Sequence, residues 1–197
     1  PITNDDVTIT SSGSITTTSN PSISVSNSVN DGKIIDNAGT ITTSGFRNQG
    51  IWFYLSGSHD VTNSGTISTS GERAQAIRLT TDSDNNTVTN SGTLSTTGDE
   101  ADGVKFYLGD NNTFTSNSTG TITTSGDDAH GIDIEGSSNN TITNQGSIIS
   151  TGTASHGINM INGTDFDATQ TINNTITNSG SINVSGSGSN GISINVD

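Results

Sequence analysis

The sequence predicts an all-β chain wound as a single-stranded right-handed parallel β-helix, a solenoid of about seven coils of 26–28 residues. Three observations carry that prediction. The phrase Asn-x-Gly-Thr/Ser-Ile/Leu recurs along nearly the whole chain, with turn glycines at Gly13, Gly39, Gly65, Gly92, Gly120, Gly146 and Gly180. Their spacings of 26, 26, 27, 28, 26 and 34 residues are those of stacked structural repeats. Between the glycines lie short runs that alternate apolar and polar residues, the period-two signature of strands. The apolar residues also fall into continuous columns when the coils are aligned.

Residues 88–106 display one unit. Val88, Leu94, Val104 and Phe106 point inward, while Thr89, Thr93, Ser95 and Lys105 point outward. Gly92 bends the chain between the first two strands and the arc from Gly98 to Gly103 bends it before the third, because glycine tolerates tight turns. The first inward column is Val7, Ile35, Val61, Val88, Phe114, Ile142 and Ile176; the second is Ile15, Ile41, Ile67, Leu94, Ile122, Ile148 and Ile182. The third is Ile23, Ile51, Ile77, Val104, Ile132, Ile158 and Ile192, backed by Val25, Phe53, Leu79, Phe106, Ile134, Met160 and Ile194. β-branched residues dominate, as parallel ladders favour. Seven coils at about 4.8 Å per strand make a rod about 34 Å long. Antiparallel hairpins, as in a propeller, fit less well, since a blade needs about 40 residues. The hand follows from the crossover preference of parallel strands.

Asn37, Asn63, Asn90, Asn144 and Asn178 stand two residues before a turn glycine, at Gly39, Gly65, Gly92, Gly146 and Gly180. Stacked asparagine side chains can bond along a ladder and satisfy turn backbone groups. In the fifth coil Asn117-Ser118-Thr119-Gly120 holds one extra residue, so a bulge-like adjustment is expected there.

Composition alone would mislead. Only 26% of residues are hydrophobic, and Thr and Ser supply 65 of 197 with Asn another 24, a balance that without periodicity reads as disorder. A solenoid needs only a thin apolar column, because each coil covers its neighbours. Without cysteine, stability comes from stacking rather than disulfides. No stretch is long enough to insert directly into a bilayer, and the first residues do not read as a signal peptide. The repeat already runs at Ile9 and still runs at Ile194, so residues 1–197 are expected to form one continuous β-helix segment cut from a longer passenger, with a corner insertion at 161–175. That insertion contains Asn162-Gly163, Asp165, Phe166 and Asp167, and Ile172 could prolong the first ladder. A net charge of −14 opposes nucleic acid and anionic membrane as partners.

The repeats Val61-Thr62-Asn63-Ser64-Gly65-Thr66-Ile67, Val88 to Leu94 and Ile176 to Ile182, each followed by Gly-Ile-x-Leu or its variants, resemble the passenger-domain repeats of bacterial autotransporters and related large secreted adhesins. The resemblance covers residues 7–196. It implies a right-handed β-helix carried by type V secretion to the outer surface of a Gram-negative cell, with a separate translocator barrel as anchor. It implies an extracellular, non-enzymatic adhesin or self-associating stalk, whose partners would be host or bacterial surface proteins or glycans. An inert spacer is the alternative, and a glycan- or ice-binding surface another.

Trp52, Arg78 and Lys105 share one outward position in successive coils, with Tyr54 and Tyr107 two residues along. This aromatic and cationic strip is the candidate contact for a sugar or protein partner. Asp102, His130 and His156 stack before the third-strand glycines; the two histidines could share a transition metal with Asp102 or Asp128, although all three stacked residues read first as exposed polar ladder residues. No cofactor is expected, although calcium at Asp99, Asp102, Asp127 and Asp128 stays open. These acids and Glu100 are assigned to exposed arcs. No Gly-x-Ser-x-Gly elbow occurs, and Gly186 to Ser189 has no His-Asp setting. Lyases on β-helices use a basic residue with a cation, and no Lys or Arg lies beyond Lys105. Outward Thr pairs such as Thr40/Thr42 and Thr121/Thr123 motivate the ice-binding alternative. The Asn-x-Ser/Thr triplets at Asn85, Asn111, Asn117, Asn139, Asn162 and Asn173 read as a by-product of composition.

Overall fold

Alternating apolar residues at fixed register leave each coil one way to bury them: three short strands around a narrow core, repeated. The computed structural model describes residues 2–3, 5–26, 32–163 and 170–196, and it has this arrangement. Three sheets run the length of the molecule, two of seven strands and one of eight, and each strand pairs in parallel with the equivalent strand one coil away. The chain is a parallel β-helix with no helical element among the described residues.

In the fourth coil the first strand is Thr87–Asn90, the second Thr93–Thr96 and the third Val104–Tyr107. The expected columns are the observed ones: Val88 pairs with Val61 and Phe114, Leu94 with Ile67 and Ile122, and Val104 with Ile77 and Ile132. The core from Ile23 to Ile158 is sealed from solvent, and Ile15, Ile176 and Ile182 pack half-buried against it. The turn glycines allow this stacking. A Cβ on Gly65 would fall 2.1 Å from the Gly39 carbonyl oxygen, and one on Gly71 1.8 Å from that of Gly45. The coils touch backbone to backbone at both corners.

The interior is not wholly apolar. Asn37 Nδ2 donates to Asn63 Oδ1 at 2.7 Å and Asn63 Nδ2 to Asn90 Oδ1 at 2.8 Å, while Gly39 N donates to Asn37 Oδ1 at 3.2 Å. In the fifth coil Ser116, not Asn117, takes the ladder position, paired with Asn90 and Asn144. Two residues rather than one are therefore extra, and the turn closes on itself through Gly120 N to Asn117 O at 2.8 Å. The first coil does the same through Gly13 N to Thr10 O at 2.7 Å, with Ile9 on the ladder. The long turn supplies its own bond, so neither coil uses an asparagine.

Two further ladders carry the corners. Buried Thr43 and Thr124 donate across the arc to Asn48 O at 2.6 Å and Ala129 O at 2.8 Å, and Thr69 likewise donates to Ala74 O. At the corner before the first strand, Asn112 Oδ1 accepts from Asn86 N and Asn140 Oδ1 from Asn112 N, both at 2.8 Å. The preceding Asn85, Asn111, Asn139 and Asn173 have φ of 58–59°, a conformation asparagine tolerates better than most residues. The Asn-Asn-Thr triplets are thus a corner device and not a by-product of composition.

Asp165, Phe166 and Asp167 lie outside the described residues. Beside them, Thr171 N donates to Asn162 Oδ1 at 2.9 Å and Ser137 N to Thr171 Oγ1 at 3.3 Å. Ile172 does not prolong the first ladder: it sits at the corner, 47% exposed, and the strand begins at Thr175.

Candidate functional site

The outer face of the eight-stranded sheet departs from the Thr/Ser uniformity of the other two. Its first outward column reads Trp52, Arg78, Lys105, Asp133 and Asn159 in register, and the second Tyr54, Thr80, Tyr107 and Glu135. Beside it run the arcs, whose tips Arg47, Arg73, Glu100 and Asp128 have φ of 52–56° and form the opposite wall. Between them lies a groove of two adjoining cavities, about 580 and 350 Å³, which share Arg47, Arg78 and Tyr107. Four of the five cationic side chains in the sequence line it.

The smaller cavity is aromatic. Trp52 Nε1 donates to Thr80 Oγ1 at 3.1 Å, Thr80 Oγ1 donates to Phe53 O at 2.9 Å, and the Trp52 and Tyr54 rings stack at 5.6 Å and 27°. Arg78 lies over the Tyr107 ring at 5.8 Å. Burial pushes the Arg78 guanidinium below its ordinary pKa; Asp102 opposes that shift and Arg47 adds to it. Its Nε is buried without a hydrogen-bond partner. Arg73 differs: it holds Glu100 through two bonds of 2.8 and 2.9 Å on the exposed arc.

The larger cavity carries the acids, with Arg73 and Lys105 paired among them. Lys105 Nζ binds Asp133 Oδ2 at 2.6 Å and Glu135 Oε2 at 2.9 Å, with Asp102 Oδ2 at 4.0 Å. Burial works against the Lys105 charge, but the carboxylates of Asp133, Asp102 and Glu135 outweigh it and hold the pKa above the ordinary lysine value. Asp102 is pushed up to about 8, by burial first and by Asp133 next. Burial also acts on Asp133, but the Lys105 charge prevails and keeps it low. The structure therefore groups Trp52, Tyr54, Arg78 and Tyr107 as a surface, and turns Lys105 toward carboxylates. Asp133 and Glu135 were missed by sequence reasoning, although both continue the outward columns of Lys105 and Tyr107 by one coil. Arg47 was missed because it lies on an arc.

Asp102, His130 and His156 do stack, but Asp102 is 2% and His130 8% exposed, so neither is an exposed ladder residue. Asp102 Oδ1 accepts from His130 N at 2.8 Å, His130 Nδ1 from His156 N at 2.9 Å, and His156 Nδ1 from Asn190 N at 2.9 Å. The two rings stack at 5.1 Å. Each Nδ1 lone pair is committed to a backbone N–H, which leaves the ring proton on Nε2. Asp99 and Asp127 likewise accept from Asp127 N and Thr153 N. Among the described residues no three His, Asp or Glu side chains gather at metal-ligand spacing. The outward Thr pairs are in register from Thr40/Thr42 to Thr121/Thr123, and Ser147 and Ile149 follow them.

The fold is a parallel β-helix, and the family model that matches it is of the pectate-lyase-like class. The chain belongs to the family of the BigA third pectate lyase-like domain, whose family model matches residues 3–196. BigA is an autotransporter-like surface protein, so the family is one of bacterial surface-protein domains. No curated protein and no solved structure matches the chain.

Proposed function

We propose that this chain is a non-enzymatic adhesive segment of a Gram-negative surface protein, exported by type V secretion and anchored by a translocator barrel. The observation that supports this reading most is the groove: a scaffold of near-identical coils concentrates its only tryptophan, both tyrosines and four of five cations on one face. Aromatic and arginine side chains are the usual anchors of binding surfaces. Membership in a surface-protein family agrees with it. The partner is a host or bacterial surface glycan or protein, and no cofactor takes part.

Display of residues 1–197 on a non-adhering cell should confer attachment to host cells, and Trp52→Ala should reduce attachment while the circular dichroism stays unchanged. Clumping without attachment would make the segment a self-association module. Neither effect would leave an inert spacer. A lyase is the second reading, favoured by the half-buried Arg78 lining the groove, since lyases on β-helices use a basic side chain. Release of unsaturated oligogalacturonate with added calcium would overturn the non-enzymatic reading.

A further inference from the structure

Two guanidinium groups lack the carboxylate partners that their neighbours have. Arg73 is clamped by Glu100 and Lys105 by Asp133 and Glu135, whereas Arg47 and Arg78 form no ion pair among the described residues. In a chain with 19 acidic and 5 basic side chains, unpaired cations side by side are not a consequence of supply. Both line the 350 Å³ cavity with Trp52, Tyr54 and Tyr107, a volume within the range of small-ligand sites, about 300–1,000 Å³. The buried Nε of Arg78 has no acceptor within the protein either, so the guanidinium is not tied down from behind.

We propose that this cavity binds the terminal sugar of a glycan bearing a single carboxylate, with Arg78 and Arg47 holding the carboxylate and the Trp52–Tyr54 stack covering a ring face. The assignment rests on the adhesive reading and gives it a ligand class. Guanidinium forks match carboxylate geometry, and the apolar face of a sugar ring packs on an aromatic plane. A polyuronate fits worse. Beyond Tyr107 the cations of the groove are already engaged, Arg73 by Glu100 and Lys105 by Asp133 and Glu135, with Asp102 and Asp128 beside them, so a second or third carboxylate would have to compete with the protein's own acids, on a chain of net charge −14.

Titration of the full chain with sialyllactose, lactose and oligogalacturonate tests the assignment. Sialyllactose should bind about tenfold or more tighter than lactose, as expected for charge-assisted bonds to arginine, with oligogalacturonate no tighter than lactose. Added salt should narrow the gap. Arg47→Asn, at an exposed position whose φ of 55° suits asparagine, and Arg78→Gln should each abolish the preference without changing the circular dichroism. Equal affinity for sialyllactose and lactose, tightest binding of oligogalacturonate, or an Arg47→Asn variant with its preference intact would each overturn the proposal. Absence of any sugar binding would overturn it too, while attachment of displaying cells would continue to decide the adhesive reading independently.

Discussion

The two seven-stranded sheets and the eight-stranded sheet are built from the same coil, yet their outer faces follow opposite rules. On the first two, most register neighbours are near copies, such as Thr89 with Thr62 and Thr115, or Ser95 with Ser68 and Thr123. On the third, Trp52, Arg78, Lys105, Asp133 and Asn159 succeed one another without a repeat. Stacking requires only that the inner columns and corners recur. A column whose identity changes at every coil is therefore released from the scaffold, and its charges are either balanced locally, as at Lys105, or left open, as at Arg78.

The strongest way to break that comparison is to remove the local balance. Lys105→Met leaves Asp102, Asp133 and Glu135 facing a groove without their cation, and loss of one partner from a buried charge cluster costs about 3–5 kcal/mol. The deficit should be larger above the Asp102 value of about 8 than in mild acid, where Asp102 is protonated. Chemical denaturation at the two pH values would measure it. An unchanged midpoint at both would show that the cluster is solvated and the face follows the same rules as the other two.

A scaffold column offers the converse test. The position before each third strand is glycine at Gly50, Gly103, Gly131 and Gly157, where a Cβ would meet the Cγ2 of Ile67, Ile122, Ile148 and Ile182 at 2.3–2.4 Å. Only one interior coil has alanine there, Ala76, and the same one-coil step that relates Gly50 to Ile67 and Gly103 to Ile122 relates it to Leu94. Leucine has no Cγ2 methyl on its Cβ, so the space is free. Leu94→Ile should destabilise by about 1–3 kcal/mol through overpacking, and adding Ala76→Gly should restore most of the loss. Additive effects in the double variant would show that the two sites do not share that space.

This pair also marks what the sequence makes legible. The inner columns could be read because β alternation fixes which residue faces inward, and the register then follows from the glycine spacing. The Ala76/Leu94 exchange is visible in the same alignment once the close approach of glycine and isoleucine at these positions in the other coils is known. The cation cluster was harder. Asp133 and Glu135 lie 28 and 30 residues from Lys105, and only tracing the outward column one coil further brings them together. Burial of Asp102 and His130 could not be read, because local pattern does not encode which way an arc residue faces.

Asp102 sharpens the comparison by pH. Its folded pKa of about 8 lies above the unfolded value of about 3.9, so the folded state binds the extra proton, and stability falls as pH rises between those values. Asp102→Asn keeps an oxygen to accept from His130 N and removes the titration. The variant should match the parent in acid and exceed it in thermal midpoint as pH approaches 8. His130 acts in the opposite direction: burial lowers its pKa, so its contribution is complete above about 6.5 and declines as pH falls below that. Parallel pH profiles for parent and Asp102→Asn would place Asp102 among ordinary exposed acids.

The smallest expected effect concerns the point where the scaffold itself stops repeating. Asn144 Oδ1 and Ser116 Oγ are buried without partners, because serine at 116 has no amide to donate to Asn144 as Asn63 donates to Asn90. Ser116→Asn alone would not fit, since Gly120 packs against that side chain: a Cβ there would lie 2.5 Å from Ser116 Oγ. Combined with deletion of Ser118 and Thr119, it recreates the Asn-x-Gly turn of the neighbouring coils and extends the ladder from Asn90 to Asn178. Satisfying the buried acceptor should contribute roughly 1 kcal/mol, offset in part by loss of the exposed bond from Thr119 Oγ1 to Ser91 O. A raised thermal midpoint would show that the fifth coil departs from the repeat at a cost in stability. A lowered one would show that the self-closing turn, which also serves the first coil, is the better solution at that corner.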